Sequence, residues 1–240
     1  MKTLFGTLLV MGAAGCGSVE TAHVEALTKL GSEITQNEQG KVVRVFFALN
    51  TEIADTDLVH LVGLTALREL NLEATQIGDA GIRRLMGLTQ LQEVYLQQTL
   101  ITDDGLASLA GLTELRALGL SRTQITGDGL VHLKALTNLR YLVLSRTQIT
   151  DSGLVHLVGL TELRTLKLTA TQVTNVGLLH LKGLVSLETL DLSNTQITDD
   201  GLVHLHRLSQ LTHLYLDHTK VTDASLDKLQ KALPECDIRR

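Results

Sequence analysis

Aromatic residues, proline and cysteine are all scarce in this sequence. The 240-residue chain has no tryptophan, one proline (Pro234), three tyrosines and three phenylalanines. Its core must therefore be aliphatic, and leucine is the dominant apolar residue. The net charge is −5, with acidic and basic residues interspersed. Because phosphate binding needs a basic stripe, this balance argues against nucleic acid as the main partner.

Motifs that carry chemistry are also missing. Only two cysteines occur, Cys16 and Cys236. They lack the CxxC or Cys/His spacing of a zinc site and cannot supply the disulfide framework of a small secreted domain. We find no Walker loop, dinucleotide fingerprint or nucleophile elbow. The sequence therefore predicts a protein that is not an enzyme, with no catalytic residues, no cofactor and no metal ion.

The first sixteen residues have the pattern of a secretory signal. Lys2 precedes a short apolar run that is followed by small residues. The run is shorter than the roughly 20 residues that a membrane-spanning helix needs. Residues 13–16, Ala-Ala-Gly-Cys, resemble the bacterial lipobox, although that family prefers leucine where Ala13 stands. The resemblance implies a lipid on Cys16 after export across the inner membrane, and hence a protein anchored in the cell envelope. An ordinary signal peptide and an unprocessed N-terminus are the alternatives.

A period of 24 residues governs most of the chain. Eight units of the form L-x-x-L-x-L cover residues 43–234, and they begin at Val43, Leu67, Leu91, Leu115, Leu139, Leu163, Leu187 and Leu211. This motif at this period resembles the leucine-rich-repeat superfamily. The resemblance implies an α/β solenoid, a curved right-handed coil with parallel strands on its concave face and short helices on its convex face.

Each position at which the same residue type recurs from unit to unit, here called a column, has a structural interpretation. A threonine, such as Thr123, follows each strand where the superfamily usually has asparagine, and we expect its hydroxyl to help tie neighbouring turns together. A Thr-Asp pair, such as Thr102-Asp103, predicts a helix start, where the negative charge of the aspartate suits the helix dipole. A glycine before the first helix leucine predicts close approach of adjacent turns. The histidine column at 60, 132, 156, 180 and 204 predicts partly exposed surface residues rather than metal ligands.

The two ends of the array are predicted to be capped. Residues 17–42 are a short tether followed by a helix from Thr21 to Leu30 and a hairpin formed by Ser32 to Gln36 and the chain from Lys41 onward. Residues 235–240 form the C-terminal cap. There Ile238 falls where a strand leucine is expected, and Cys236 is a small residue packed in the cap.

The T-x-I-T-D-x-G-L-x-H-L run and the L-P-x-C-x-I ending resemble leucine-rich-repeat proteins of planctomycete-type bacteria, and more loosely the F-box/leucine-rich-repeat and bacterial GALA groups. These resemblances imply a non-catalytic scaffold that binds another protein. A structural or self-assembling envelope component without a specific ligand is the alternative, and an adaptor of the ubiquitin-ligase type is a further one. We expect a monomer that contacts the membrane only through the lipid.

The outward columns of the concave face are the candidate binding site. All three tyrosines fall on these columns, and tyrosine is favoured at binding hot spots. Glutamates lie toward the N-terminal end of this face and basic residues lie in its middle. The candidate residues are Tyr95, Arg122, Tyr141, Arg146, Lys167, Asp191, His213, Tyr215 and His218.

Overall fold

The computed structural model describes residues 19–47 and 52–240. The predicted signal peptide and Cys16 lie outside these residues. The described part begins with helix α1 (Val19–Lys29) and an antiparallel hairpin of β1 (Ser32–Gln36) and β2 (Val42–Phe47). This agrees closely with the predicted helix and hairpin. Gly31, which ends the helix, has a positive φ of 81° that favours glycine.

From β2 onward every strand pairs in parallel with the next, so the ten strands of the described residues form one sheet in chain order. The later strands are three residues long, and their first residues are 24 positions apart from β3 to β10. They are β3 (Glu69–Asn71), β4 (Glu93–Tyr95), β5 (Ala117–Gly119), β6 (Tyr141–Val143), β7 (Thr165–Lys167), β8 (Thr189–Asp191), β9 (His213–Tyr215) and β10 (Asp237–Arg239).

One short helical segment lies between each pair of successive strands from β2 to β10. The α-helical parts are α2 (Asp79–Ile82), α3 (Asp103–Ala107), α4 (Asp151–Leu154), α5 (Asn175–Leu181), α6 (Asp199–Leu202) and α7 (Asp223–Ala232). Single 3₁₀ segments continue three of them, at Arg83–Leu85, Val155–Leu157 and Val203–Leu205, and replace the helix at Asp55–Leu61 and Asp128–Leu133. Inward leucines from strands and helices form one aliphatic core, in which Phe47 is the buried aromatic side chain.

The first turn is out of the predicted register by one residue. Val45 pairs with Leu70, so this step spans 25 residues instead of 24. The buried residues of β2 are Val42, Val45 and Phe47, whereas Arg44 is exposed. A unit beginning at Val43 is therefore wrong, because a shift of one residue moves every side chain of a strand to the other face.

The threonine column stabilises its own turn rather than the contact between turns. The Thr75 hydroxyl donates to the Leu72 carbonyl three residues earlier, at 2.7 Å, and the equivalent threonines from Thr99 to Thr219 repeat this bond. The expectation that these hydroxyls tie neighbouring turns together is thus wrong. A single hydroxyl proton satisfies one carbonyl, and the nearest buried one belongs to the same turn.

On the helix side, neighbouring turns are joined instead by a side chain at the start of the helical segment, which is an aspartate at most steps. Asp79 accepts hydrogen bonds from the amide of Thr102 at 2.8 Å and from its hydroxyl at 2.7 Å. The arrangement recurs from Asp103 to Thr126, Asp151 to Thr174 and Asp199 to Thr222. Asn175 also accepts a bond from the Thr198 amide, but its side-chain nitrogen donates to the Thr198 hydroxyl. We call this column the ladder. The aspartates are therefore more than charges placed for their own helix dipole, because their carboxylates bind the next turn.

The predicted close approach at the glycine column is confirmed. A Cβ atom on Gly105 would lie 2.5 Å from the Asp79 carboxylate, and one on Gly201 would lie 2.5 Å from the Asn175 side chain. One step departs from this pattern. Gly127 occupies the ladder position, and a Cβ on Gly153 would lie 2.5 Å from the Gly127 Cα atom itself. We call this step the seam.

Both ends of the array are covered. At the N-terminus the Glu20 carboxylate accepts bonds from the Lys41 ammonium at 2.7 Å and the Val42 amide at 2.9 Å, which attach α1 to β2. At the C-terminus β10 pairs with β9 and places Ile238 opposite Leu214, as predicted. Cys236 is packed in this cap with 4% of its surface exposed. Burial raises the pKa of its thiol to about 11.

Candidate functional site: the outward face of the sheet

The candidate residues lie on one surface, the solvent side of strands β4 to β9 and of the turns that follow them. We call this surface the strand face. Because strands are in register, equivalent positions form rows about 4.8 Å apart. Tyr95 and Tyr215 end β4 and β9, whereas Tyr141 begins β6. All three tyrosines are half-buried, so each presents part of its ring to solvent. The structure thus brings the predicted residues onto a common face.

The N-terminal part of the strand face is acidic, and the carboxylates of Glu69 and Glu93 have partners within the chain. The Tyr95 hydroxyl donates to Glu93 at 2.8 Å. Burial of the ring, together with this bond to a carboxylate, raises the pKa of Tyr95, so its hydroxyl stays protonated. Glu69 forms an ion pair with Arg44 at 3.1 Å. Arg44 was not among the predicted site residues, because the incorrect register of the first unit placed it off this face.

The middle of the strand face is basic and smooth. Arg122 and Arg146 are exposed and Lys167 is partly exposed. Between and beside these cations the outward residues are small or apolar and buried. They are Ala117, Gly119 and Val143, and we call them the floor. This floor was not singled out from the sequence, although reading the outward columns residue by residue would have shown it.

A glutamine covers part of that floor. A Cβ atom on Gly119 would lie 2.5 Å from the Gln97 side-chain oxygen, so Gln97 folds over the glycine. The same oxygen is buried and has no hydrogen-bond donor. A buried acceptor without a partner is costly. Gln97 therefore covers the glycine at an energetic cost.

In the C-terminal part of the strand face, several candidate side chains contact neighbouring residues of the chain. The ring of His213 stacks on that of Tyr215 at 6.5 Å between centroids, and the Arg239 guanidinium lies 5.5 Å from the centroid of Tyr215. Asp191 accepts a bond from the Ser193 amide at 3.0 Å. His218 is exposed in a turn with a positive φ of 56°. Sequence reasoning missed Arg239, because the candidate residues were taken from the eight repeats and β10 lies in the C-terminal cap.

The histidine column lies on the helix side. His60, His132, His156, His180 and His204 are all partly exposed, as the sequence predicted. Within residues 19–47 and 52–240 no group of three or more histidine, cysteine, aspartate or glutamate side chains is arranged to hold a metal ion. In the same residues no helix has the length and apolar character that crossing a membrane requires.

Comparisons with known proteins agree with this architecture. Residues 161–221 match one leucine rich repeat family model, and residues 63–86 and 135–158 match another. A search among curated proteins finds no match. The fold is therefore a leucine-rich-repeat solenoid, and domains of this kind are in general protein-interaction scaffolds.

Among solved structures the chain is similar to two internalins of Listeria monocytogenes. It is 26% identical to internalin C2 over 91% of both chains, with a TM-score of 0.69. It is 24% identical to the internalin InlF, with a TM-score of 0.63 over 82% of this chain, and it spans 60% of that protein. A crystal structure of PEPR1–AtPEP1 is also similar, at 19% identity and a TM-score of 0.54 over 78% of this chain and 26% of the other.

Proposed function

We propose that this chain is a non-catalytic scaffold that binds a protein partner through its strand face. One observation carries the proposal. In a molecule whose core is aliphatic, all three tyrosines lie half-buried on the outward side of the sheet, over β4, β6 and β9. Tyrosine combines a large apolar contact area with a polar end, which is why it is enriched at protein interfaces.

The test is to replace Tyr95, Tyr141 and Tyr215 by alanine and to compare the proteins captured by proximity labelling. The control replaces three exposed apolar residues of the helix side, Val155, Leu179 and Val203. We expect the tyrosine variant to lose specific partners that the wild-type and control proteins retain. Circular dichroism must show that both variants remain folded. An unchanged set of partners for the folded tyrosine variant would refute the use of the strand face.

A second candidate is an envelope component that assembles with itself. It is favoured by exposed apolar side chains on the helix side, among which Val176 is 62% exposed and Val203 is 57% exposed. Clustered apolar surface of this kind promotes association. Light scattering separates the two candidates. Self-assembly predicts oligomers that the variant with Val155, Leu179 and Val203 replaced no longer forms, whereas the scaffold proposal predicts a monodisperse monomer.

We also propose that the protein is held at the bacterial cell envelope by a lipid on Cys16. The proposal is supported by the resemblance of residues 13–16 to a lipobox and by the resemblance of the repeats to planctomycete-type proteins. Stable anchoring needs more than one acyl chain, because a single chain binds membranes only marginally. Metabolic labelling with palmitate should mark the wild-type protein and not the Cys16→Ser variant. Equal labelling of the two proteins would refute the lipid anchor on Cys16.

A further inference from the structure

We infer that the partner presents a compact acidic segment of protein, and that Arg122, Arg146 and Lys167 bind its carboxylates. This inference rests on the proposed function, since it names the chemistry recognised by the same strand face. We call these three residues the cation group. Their positions, their lack of partners and the charges around them carry the inference.

The cation group is compact because its members belong to three consecutive turns. The Arg122 amide donates to the Ser145 carbonyl at 3.0 Å, and the Arg146 amide donates to the Thr169 carbonyl at 2.8 Å. The Lys167 carbonyl accepts the Leu144 amide at 2.9 Å. With rows about 4.8 Å apart, the three turns span roughly 10 Å. Two or three carboxylates on neighbouring residues of one peptide can reach across this distance.

The described residues hold no ion-pair partner for the cation group, although Asp191 stands in register beside Lys167 on the next strand. Within the described residues no hydrogen bond or ion pair involves their side chains. Several other charged residues of the face differ in this respect. Glu69 is paired with Arg44, Glu93 accepts the Tyr95 hydroxyl, and Asp217 lies 3.4 Å from the Ser193 hydroxyl. Three neighbouring like charges without a counter-ion repel one another, and an anionic ligand would relieve this repulsion.

The backbone does not require arginine at these positions. Arg122 and Arg146 occupy a turn position with a positive φ, and the equivalent residues Ala74, Gln98 and Ala170 adopt the same conformation. The arginines therefore bring no conformational advantage, and their guanidinium groups form no bond within the described chain. Beside them the floor is apolar at Val143 and is covered by the Gln97 side chain at Gly119. Arginine is also the side chain best suited to bidentate carboxylate binding.

The charges on either side favour a protein segment over a nucleic acid or another long polyanion. Toward the N-terminus the next outward charges are Glu93 and Glu69, and toward the C-terminus they are Asp191 and Asp217. Duplex DNA carries a charge about every 1.7 Å, so a strand extending beyond the cation group would meet these carboxylates. A peptide can place acidic residues in its middle and neutral or basic residues at its ends, which complements the whole face.

The experiment selects phage-displayed random dodecapeptides on three versions of the full chain. These are the wild-type protein, the variant Arg122→Glu/Arg146→Glu/Lys167→Glu, and a control with Arg84→Glu/Lys134→Glu/Lys182→Glu, which reverses three exposed cations of the helix side and changes the net charge equally. We expect clusters of aspartate and glutamate among peptides selected on the wild-type and control proteins, but not on the cation-group variant. Selection without acidic enrichment on the wild-type protein overturns the inference.

The binding constants of fluorescein-labelled peptides complete the test. A selected acidic peptide should bind at least tenfold more tightly than the same peptide with each glutamate replaced by glutamine and each aspartate by asparagine. The difference should shrink as the salt concentration is raised. A 12-nucleotide single-stranded DNA and heparin are the comparison polyanions. If either binds as tightly as the peptide, with the same dependence on the cation group, a protein segment is not the ligand.

The outcome is distinguishable from failure of the proposed function. If the tyrosine variant loses its captured partners and the cation-group variant keeps them, the strand face binds protein but the acidic chemistry is wrong. If neither variant loses partners, both proposals fail.

Discussion

Two steps of the same solenoid are spaced by different means. Between Asp79 and Gly105 a carboxylate fills the gap and accepts two hydrogen bonds from the next turn. At the seam the backbones of Gly127 and Gly153 lie against each other. The sheet has the same spacing at both steps. The Leu72 amide lies 2.8 Å from the Tyr95 carbonyl at the ladder step, and the Leu120 amide lies 2.8 Å from the Val143 carbonyl at the seam.

The difference shows that strand pairing fixes the distance between turns on the sheet side, whereas on the helix side the contact between turns depends on a single side chain. At a ladder step, glycine is required because a carboxylate occupies the space. At the seam, glycine is required because backbone occupies it. The seam also lies behind β5 and β6, the two strands that precede Arg122 and Arg146.

The largest expected effect is that of Gly153→Ala. The added Cβ would lie 2.5 Å from the Gly127 Cα and 3.0 Å from the Gly127 carbonyl oxygen, and backbone cannot move aside as a side chain can. We expect the free energy of unfolding to fall by about 3 kcal/mol, the upper end for overpacking. Urea unfolding followed by circular dichroism and by tyrosine fluorescence measures it, and coincident curves test for two-state behaviour.

Gly111→Ala is the control for this change. A Cβ atom on Gly111 would meet nothing within 4 Å, so we expect an effect of less than about 1 kcal/mol, because alanine only restricts the unfolded chain there. Equal losses for the two variants would contradict the backbone contact at the seam.

Removing one ladder carboxylate should have the next largest effect. Asp79→Ala leaves the Thr102 amide and hydroxyl without their acceptor, which costs about 1–3 kcal/mol for a partly buried group. Asp104→Ala is the matched control, because Asp104 is exposed and its carboxylate bonds to no other described residue.

The same carboxylate should couple to the glycine that faces it. Gly105→Ala is expected to destabilise the wild-type protein and to cost less in the Asp79→Ala background, where the obstructing oxygen is gone. A double-mutant cycle should therefore give a coupling energy of at least about 0.5 kcal/mol. Additive losses would show that the carboxylate does not define the space at Gly105.

Much of this architecture could be predicted from the sequence, because a repeated motif constrains many positions at once. The strand leucines, the helical segments, the close glycines, the hairpin and the strand around Ile238 all follow from periodicity and local patterning. The register of β2 could not be predicted, because its apolar run Val42–Phe47 fits the repeat in two ways that differ by one residue. The pairing of β2 with β1 and β3 distinguishes the two.

The partners of polar side chains were harder to predict. A Thr-Asp pair has the pattern of a helix start in any protein, and Thr102 does cap its helix by accepting the Asp104 amide at 3.3 Å. That the preceding turn's aspartate binds Thr102 depends on the stacking of turns, which sequence spacing within one unit does not show. The sequence likewise predicted that Arg122 and Tyr215 lie on one face. It did not show that the Arg122 side chain has no partner in the described residues or that the Arg239 guanidinium lies over the Tyr215 ring, because both depend on the stacking of turns.

The smallest expected effect lies in amide exchange at the seam. The amides of Thr126 and Thr174 donate to ladder carboxylates at 2.8 Å and 2.7 Å. The equivalent amide of Thr150 has no acceptor in the described chain, because Gly127 carries no carboxylate. We expect Thr150 to exchange its amide hydrogen roughly tenfold faster than Thr126 and Thr174, a ratio that corresponds to about 1.4 kcal/mol of local protection. Hydrogen exchange followed by NMR resolves the three residues, and Asp103→Ala should bring Thr126 to the rate of Thr150. Equal protection of all three amides in the wild-type protein would mean that burial by the stacked turns, rather than the ladder bond, shields this row.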